Sequence, residues 1–238
     1  MSSNISELTA SPLIAACSAG DLPTLSSLLR EFKEFHPRCE QDETIFLLLA
    51  EATKKKHITI VGYLLDKTEN TDYSIDLVFQ AMGAGPDMVM LYLVKNPDIW
   101  KFEWLGCGNL LASALRQNQV ELLTYLLEVV GADPGRSMES PRVAQIFFPL
   151  ELVAYSSTED NARLLIKHGA IVKGIFALQM AAGTKQSRIG MVRLLLEAGA
   201  DINSMPDFND MYLGYSYNYI ETALHCAAKT GTEEVVAY

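Results

Sequence analysis

Short runs of apolar residues recur along this chain at spacings of three and four, as in Leu25, Leu28 and Leu29 or Val61, Leu64 and Leu65. That spacing places them on one face of a helix. A second pattern runs ahead of each: a leucine or valine followed three places on by a small residue. The leading positions are Leu13, Leu49, Val78, Leu111, Leu150, Leu178 and Leu224, and the trailing ones are Ala16, Ala52, Ala81, Ala114, Val153, Ala181 and Ala227. The intervals between leading residues are 36, 29, 33, 39, 28 and 46. Each period therefore predicts two short helices. Gly20, Gly85 and Gly231 fall where the first helix must stop, and Gly131, Gly169 and Gly199 where the second does, positions that tolerate positive φ. Pro12 and Pro149 suit a first helical turn, which needs no amide hydrogen.

A single helix pair cannot bury its apolar face alone, so such units stack and share one elongated core. The expectation is an all-α repeat solenoid of stacked helix-turn-helix units with hairpin loops, occupying 1–238 as one domain without a central sheet. Units are expected near 12–30, 45–66, 75–95, 109–133, 148–172 and 176–203, with a partial one at 222–238. The last stops at Val235-Val236-Ala237-Tyr238, inside what should be its second helix.

Two stretches are more specific than the period. Thr222-Ala223-Leu224-His225-Cys226-Ala227-Ala228-Lys229-Thr230-Gly231 resembles the T-P-L-H-x-A-A-x-x-G opening of the ankyrin repeat, and Leu194-Leu195-Leu196-Glu197-Ala198-Gly199-Ala200-Asp201-Ile202-Asn203 resembles its L-L-L-x-x-G-A-D-x-N ending. The resemblance implies that Thr222 and His225 brace the turn by hydrogen bonding, with Leu224, Ala227 and Gly231 as the remaining structural positions. Elsewhere Ile14, Ala50, Phe79, Ala112, Glu151 and Gln179 stand where the family has histidine. It further implies a non-catalytic protein-protein interaction module, an adaptor, scaffold or inhibitor, that binds through a concave face and loop arms. The alternative is the recognition domain of a larger enzyme or receptor continuing past Tyr238.

Insertions in a repeat stack map to loops, commonly on the binding side. The longest is Ser204 to Glu221, with five aromatics at Phe208, Tyr212, Tyr215, Tyr217 and Tyr219. Exposed tyrosines give contact area at low entropic cost, so these are candidate partner-binding residues. The opposing reading folds them onto neighbouring helices as cover. Trp100-Lys101-Phe102-Glu103-Trp104 alternates aromatic and charged residues, as an extended arm would. Trp100 is assigned to packing and Trp104 added to the candidate contacts. Arg136 to Phe147 is expected to be an exposed loop and Glu31 to Thr44 a charged connector broken by Pro37.

The formal net charge of −10 disfavours nucleic acid and anionic lipid, and by long-range attraction favours a protein partner with a basic patch. No stretch of about 18 apolar residues is present, so no membrane insertion is expected, and the N-terminus lacks a basic-then-apolar leader. The cytoplasm is the expected location, with the nucleus as the alternative. Lys54-Lys55-Lys56-His57 reads as solvated charge between two helices. Cys17, Cys39, Cys107 and Cys226 have no C-x-x-C spacing, which predicts reduced, packed thiols. Neither they nor His36, His57, His168 and His225 supply a metal cluster. Gly83-Ala84-Gly85 lacks the Lys-Ser/Thr of a phosphate-cradling loop. No catalytic, cofactor or metal site is therefore assigned.

Overall fold

The computed structural model describes residues 12–35, 37–68, 75–101, 109–140, 145–186, 188–205, 221–230 and 233–238. The chain divides into two compact units, Met1–Ile99 and Trp100–Tyr238.

Among the described residues, the N-terminal unit holds three helix pairs. Helix α1 spans 12–19 and α2 Leu22–Phe35; α3 (Arg38–Lys54) pairs with α4 (Ile58–Lys67), and α5 (Ile75–Ala84) with α6 (Pro86–Lys95). First helices α3 and α5 pack together, as do second helices α4 and α6, giving two layers. The charged connector expected after Glu31 is instead helical, since α2 runs to Phe35 and α3 starts at Arg38. The Glu, Lys, Arg and Gln of this stretch are good helix formers, and Pro37, extended at φ −65° and ψ 157°, confines the break to the N-cap.

Among the described residues, the C-terminal unit carries four pairs. They are α7 (Leu110–Arg116) with α8 (Val120–Tyr125), α9 (Pro149–Ser156) with α10 (Glu159–Lys167), α11 (Ala177–Ala182) with α12 (Ile189–Glu197), and α13 (Ala223–Thr230) with α14 (Glu233–Ala237). Helix α8 continues as a π-helical turn over Leu126–Val130. The first helices α7, α9, α11 and α13 pack in that order, while α10, α12 and α14 form the second layer. The loop expected at 136–147 contains an antiparallel ribbon, β1 (Met138–Ser140) against β2 (Gln145–Phe147), with Glu139 opposite Ile146. Trp100 belongs to a 3-10 turn, Pro97–Lys101, rather than to an extended arm, and is 5% exposed.

Burial follows the repeat. The small residue at the trailing position is buried in all seven pairs, from Ala16 to Ala227. The leading residue is buried in six, and so is the residue four places after it: Cys17, Thr53, Met82, Leu115, Ala154 and Ala182. This position faces the following pair, since the Cys17 thiol donates to the Leu48 carbonyl at 3.3 Å and the Thr53 hydroxyl meets the Tyr92 hydroxyl at 2.7 Å. In the last pair Leu224 is 56% exposed and Ala228 is exposed as well. The expectation of a packed leucine fails there, and Leu224 instead lines an open space between the last two pairs.

Turn glycines adopt the conformation their positions demand. Gly20, Gly85, Gly131, Gly169 and Gly199 all have positive φ, and Lys56 and Asn118 take the place of Gly20 in the α3–α4 and α7–α8 turns, at φ 62° and 53°. Gly20 has a further constraint, because a Cβ there would sit 2.9 Å from Cε1 of His57, whose Nε2 bonds the Ser18 carbonyl at 3.0 Å. Gly20→Ala is accordingly expected to cost about 1–2 kcal/mol, from left-handed backbone strain and displacement of the imidazole. Urea unfolding that gives an unchanged midpoint would contradict this.

The thiols of Cys17 and Cys226 are buried and not joined in a disulfide. Burial, with the nearby Glu51 carboxylate adding to it, pushes Cys17 up to about 11. Since only the thiolate reacts, iodoacetamide at pH 8 should leave Cys17 unlabelled in the folded chain and label it after urea unfolding, as read by peptide mass analysis.

Candidate protein-binding surface

The first-helix layer of the C-terminal unit is built from helices that begin by bracing their own turns. Thr222 Oγ1 and His225 Nδ1 lie 2.7 Å apart at the start of α13. In α9 and α11, where histidine is absent, a glutamate and a glutamine fill the same place. Glu151, 1% exposed, accepts from its own Phe148 amide at 2.9 Å and from the Phe176 amide of the following segment at 2.7 Å. Gln179, fully buried, donates from Nε2 to the Ser204 carbonyl at 2.9 Å. Each buried side chain thus ties its helix to the segment entering or leaving the next pair. In the N-terminal unit the corresponding residues Ile14 and Phe79 are apolar and 36% and 45% exposed.

The turns between first and second helices are tied as well. Arg188, ahead of α12, reaches back to the end of α9 and donates to the carbonyls of Val153 (3.2 Å), Ala154 (2.5 Å) and Ser157 (2.5 Å). The Ala154 and Ser157 carbonyls are among those a helix end leaves short of internal donors, whereas the Val153 carbonyl also accepts from the Ser157 amide at 2.9 Å. Burial lowers the Arg188 pKa from its usual value, an effect opposed by the Glu159 carboxylate. One turn earlier, Asn161 donates to Asn118 Oδ1 at 2.7 Å and to Ser157 Oγ at 2.8 Å. The spacing of these turns is thereby fixed across three consecutive pairs.

What this scaffold presents to solvent is set by the residue five places after each leading position. In α7, α9 and α13 these are Arg116, Tyr155 and Lys229, all exposed, and after α11 it is Gly183. Tyr155 shows 56% of its surface. An apolar groove of about 280 Å³ lies between the last two pairs, lined by Leu178, Leu196, Leu224 and Val236, with Asn203 and Thr222 as its polar members.

Of the candidate contacts read from the sequence, Trp104, Phe208, Tyr212, Tyr215, Tyr217 and Tyr219 lie outside the described residues, as does Gly231. Thr222, Leu224, His225 and Ala227 are brought together on α13, with Ala227 buried. Tyr155 and Arg116 were not singled out from sequence; their signal is their common offset from the leading residue. Among the described residues no group of three or more His, Cys, Asp or Glu side chains could hold a metal ion, and no helix is long and apolar enough to cross a membrane.

Comparison with known proteins agrees with this architecture. A family model described as ankyrin repeats (many copies) matches residues 178–238. Among solved structures, the chain is similar to the human ASB11 ankyrin repeat domain, with 18% sequence identity, a TM-score of 0.60, and coverage of 95% of this chain and 96% of that one. At that identity the likeness speaks for the fold alone. No curated protein matches.

The clamp by Arg188 gives a direct test of how the layer is held. Arg188→Met keeps the apolar stem but withdraws the donors from three helix-end carbonyls, and should lower stability by on the order of 2 kcal/mol. Arg188→Lys should recover only part of this, because a single ammonium cannot span the three acceptors as a guanidinium fork does. Equal unfolding midpoints for wild type and Arg188→Met would remove the clamp from the account.

Proposed function

We propose that this chain, an ankyrin repeat protein by its fold and by the match over residues 178–238, is a non-catalytic module that binds a protein partner and serves as an adaptor, scaffold or inhibitor. The observation that carries the reading is the row of exposed side chains at one helical offset, Arg116, Tyr155 and Lys229, on helices whose other faces are committed to packing. A surface that varies over a constant core is what a recognition scaffold needs. Fold does not fix function, so the site must carry the argument.

The contact region in this reading comprises the first-helix face together with the insertion from Ser204 to Glu221. Phe208, Tyr212, Tyr215, Tyr217 and Tyr219 are assigned to partner contact, with Trp104 as a further contact in the preceding arm. Thr222 and His225, at the base of the insertion, anchor its return to α13, joined by the Glu221–Lys229 ion pair at 2.8 Å. The net charge of −10 favours long-range approach by a partner with a basic patch and disfavours nucleic acid. The proposed setting is the cytoplasm.

Affinity capture from cell extract, comparing the intact chain with Tyr212→Ser/Tyr215→Ser/Tyr217→Ser, tests the assignment. Partners captured by the intact chain should be lost by the triple variant while its thermal midpoint stays the same. Recovery of the same partners by both removes the insertion from the binding surface, and a lowered midpoint identifies the tyrosines as cover.

A further inference from the structure

We propose that the first-helix face of the N-terminal unit docks a short segment of the partner protein that is apolar at one end and acidic at the other. This rests on the protein-binding reading above and adds a separate contact with its own chemistry. It starts from the repeat position where the family has histidine. In α9 and α11 that position holds a buried polar brace, whereas in α1 and α5 it holds Ile14 and Phe79, both exposed. On α3, between them, Leu47 is 59% exposed and Ala50 half-buried. The three helices form one layer. Helix α3 packs on α5, and α1 is tied to α3 by the Cys17 thiol on the Leu48 carbonyl and by the Ser18 hydroxyl, which donates to Glu51 at 2.6 Å. Single exposed apolar side chains are ordinary on any surface, but one on each of three adjoining helices makes a strip.

Charge decides what covers that strip. Glu43, Leu47, Ala50 and Lys54 follow one another at spacings of four, three and four, so they line one side of α3. Lys54 stands about 10 Å beyond Leu47 and leads into Lys55 and Lys56, all three exposed. Among the described residues the ammonium groups of Lys95, Lys167 and Lys229 are paired with carboxylates, and those of Lys54, Lys55 and Lys56 are not. Glu51, one turn before them, accepts from Ser18, and Asp21, in the preceding turn of the stack, accepts from the Thr24 amide and hydroxyl. Helix α1 carries no charged residue and α5 only Asp76, at its start. Glu43 and Asp76, both exposed, therefore stand toward the end of the strip away from the lysines. Carboxylates of a partner are attracted at one end and repelled at the other.

The helix macrodipole accounts for cations at the end of α3. It does not account for Lys56. This residue is left-handed, at φ 62°, in a turn position that Gly20 fills after α1 and Asn118 after α7. Lysine is less favourable there than glycine or asparagine. A strained lysine whose ammonium bonds nothing among the described residues points to a use of its charge outside the fold. The net charge of −10 opposes an acidic segment at a distance, but within about one Debye length, roughly 8–10 Å, the three lysines set the sign. About ten extended residues, spanning roughly 30 Å, reach from Phe79 across Leu47 to Lys56.

Fluorescence anisotropy with two dye-labelled decapeptides tests this at 50 and 300 mM NaCl. One is Leu-Ser-Phe-Ser-Leu-Gly-Glu-Asp-Glu-Glu, and the other has the same apolar half followed by four lysines. The acidic peptide should bind, more weakly at the higher salt, and Lys54→Gln/Lys55→Gln/Lys56→Gly should lower its affinity at least tenfold with circular dichroism unchanged. Lys56→Gly alone should lower affinity severalfold while raising the urea midpoint, because glycine relieves the left-handed turn. Leu47→Ser should cost severalfold and leave the salt dependence intact. Absence of acidic-peptide binding, equal or tighter binding of the lysine peptide, or undiminished affinity in the triple variant overturns the proposal. So does tighter binding of a single-stranded decanucleotide, which would make the lysines a general polyanion site. If the triple variant captures the same partners from cell extract as the intact chain, this contact falls and protein binding stands, whereas capture of no partner by the intact chain sinks the parent reading.

Discussion

Everything in this molecule depends on close approach between consecutive helix pairs, and that approach is set by one small side chain per first helix. With Ala16, Ala52, Ala81, Ala114, Ala181 and Ala227 at the trailing position, and only Val153 departing from alanine, first helices can come near enough to bury the leading residue and the one four places on. A larger group at that point would separate two helices and strip contacts along the whole joint, since packing energy falls steeply with small gaps. The second helices then close the other layer. Because each pair contacts its sequence neighbours, the core is a series of like joints within each unit and has no single centre.

The repeat was legible in sequence for the same reason that it is stable. The small residue cannot drift without cost, so the three-residue offset between leucine and alanine persists where every other signature has decayed. Pairs lacking the Thr and His, such as those led by Leu49 and Val78, still bury both positions fully. Local detail was less legible. The segment after Glu31 has a charged composition suited equally to a solvated connector or to helix, and continuation of α2 to Phe35 and α3 from Arg38 decides for helix. The ribbon at Met138–Ser140 and Gln145–Phe147 depends on pairing across a turn, which no periodicity within either three-residue strand reveals. Leu224 misled because the last two pairs leave an apolar groove at its position and do not close over it.

The braces show how one structural need is met by different chemistry. At the place of His225, whose partner is its own Thr222, the chain uses Glu151 to join two backbone amides and Gln179 to hold Ser204. In each case a buried polar group must be paired, so the substitution succeeds only with a matching donor or acceptor in the adjoining loop. Sequence alone placed Glu151 and Gln179 where the family has histidine but not their bracing role, because the partners are backbone groups 25 residues away. The apolar Ile14 and Phe79 mark the different solution of the N-terminal unit, where this position is partly open to solvent.

Of the candidate surface, sequence disclosed the aromatic insertion and the turn-bracing pair but not the face beside them, and the reason lies in what a summed charge discards. A two-layer stack assigns residues to opposite sides by their offset within each repeat. Arg116, Tyr155 and Lys229 share an offset, while Glu159, Asp160, Glu233 and Glu234 open second helices on the other layer. Adding them yields a strongly acidic molecule, and the sum conceals which layer each charge belongs to. The two scales answer different questions: the total governs solubility and the sign of distant encounter, and the face governs which partner can remain. For a repeat protein the offset of a charge within its unit therefore carries more about recognition than the net charge of the chain.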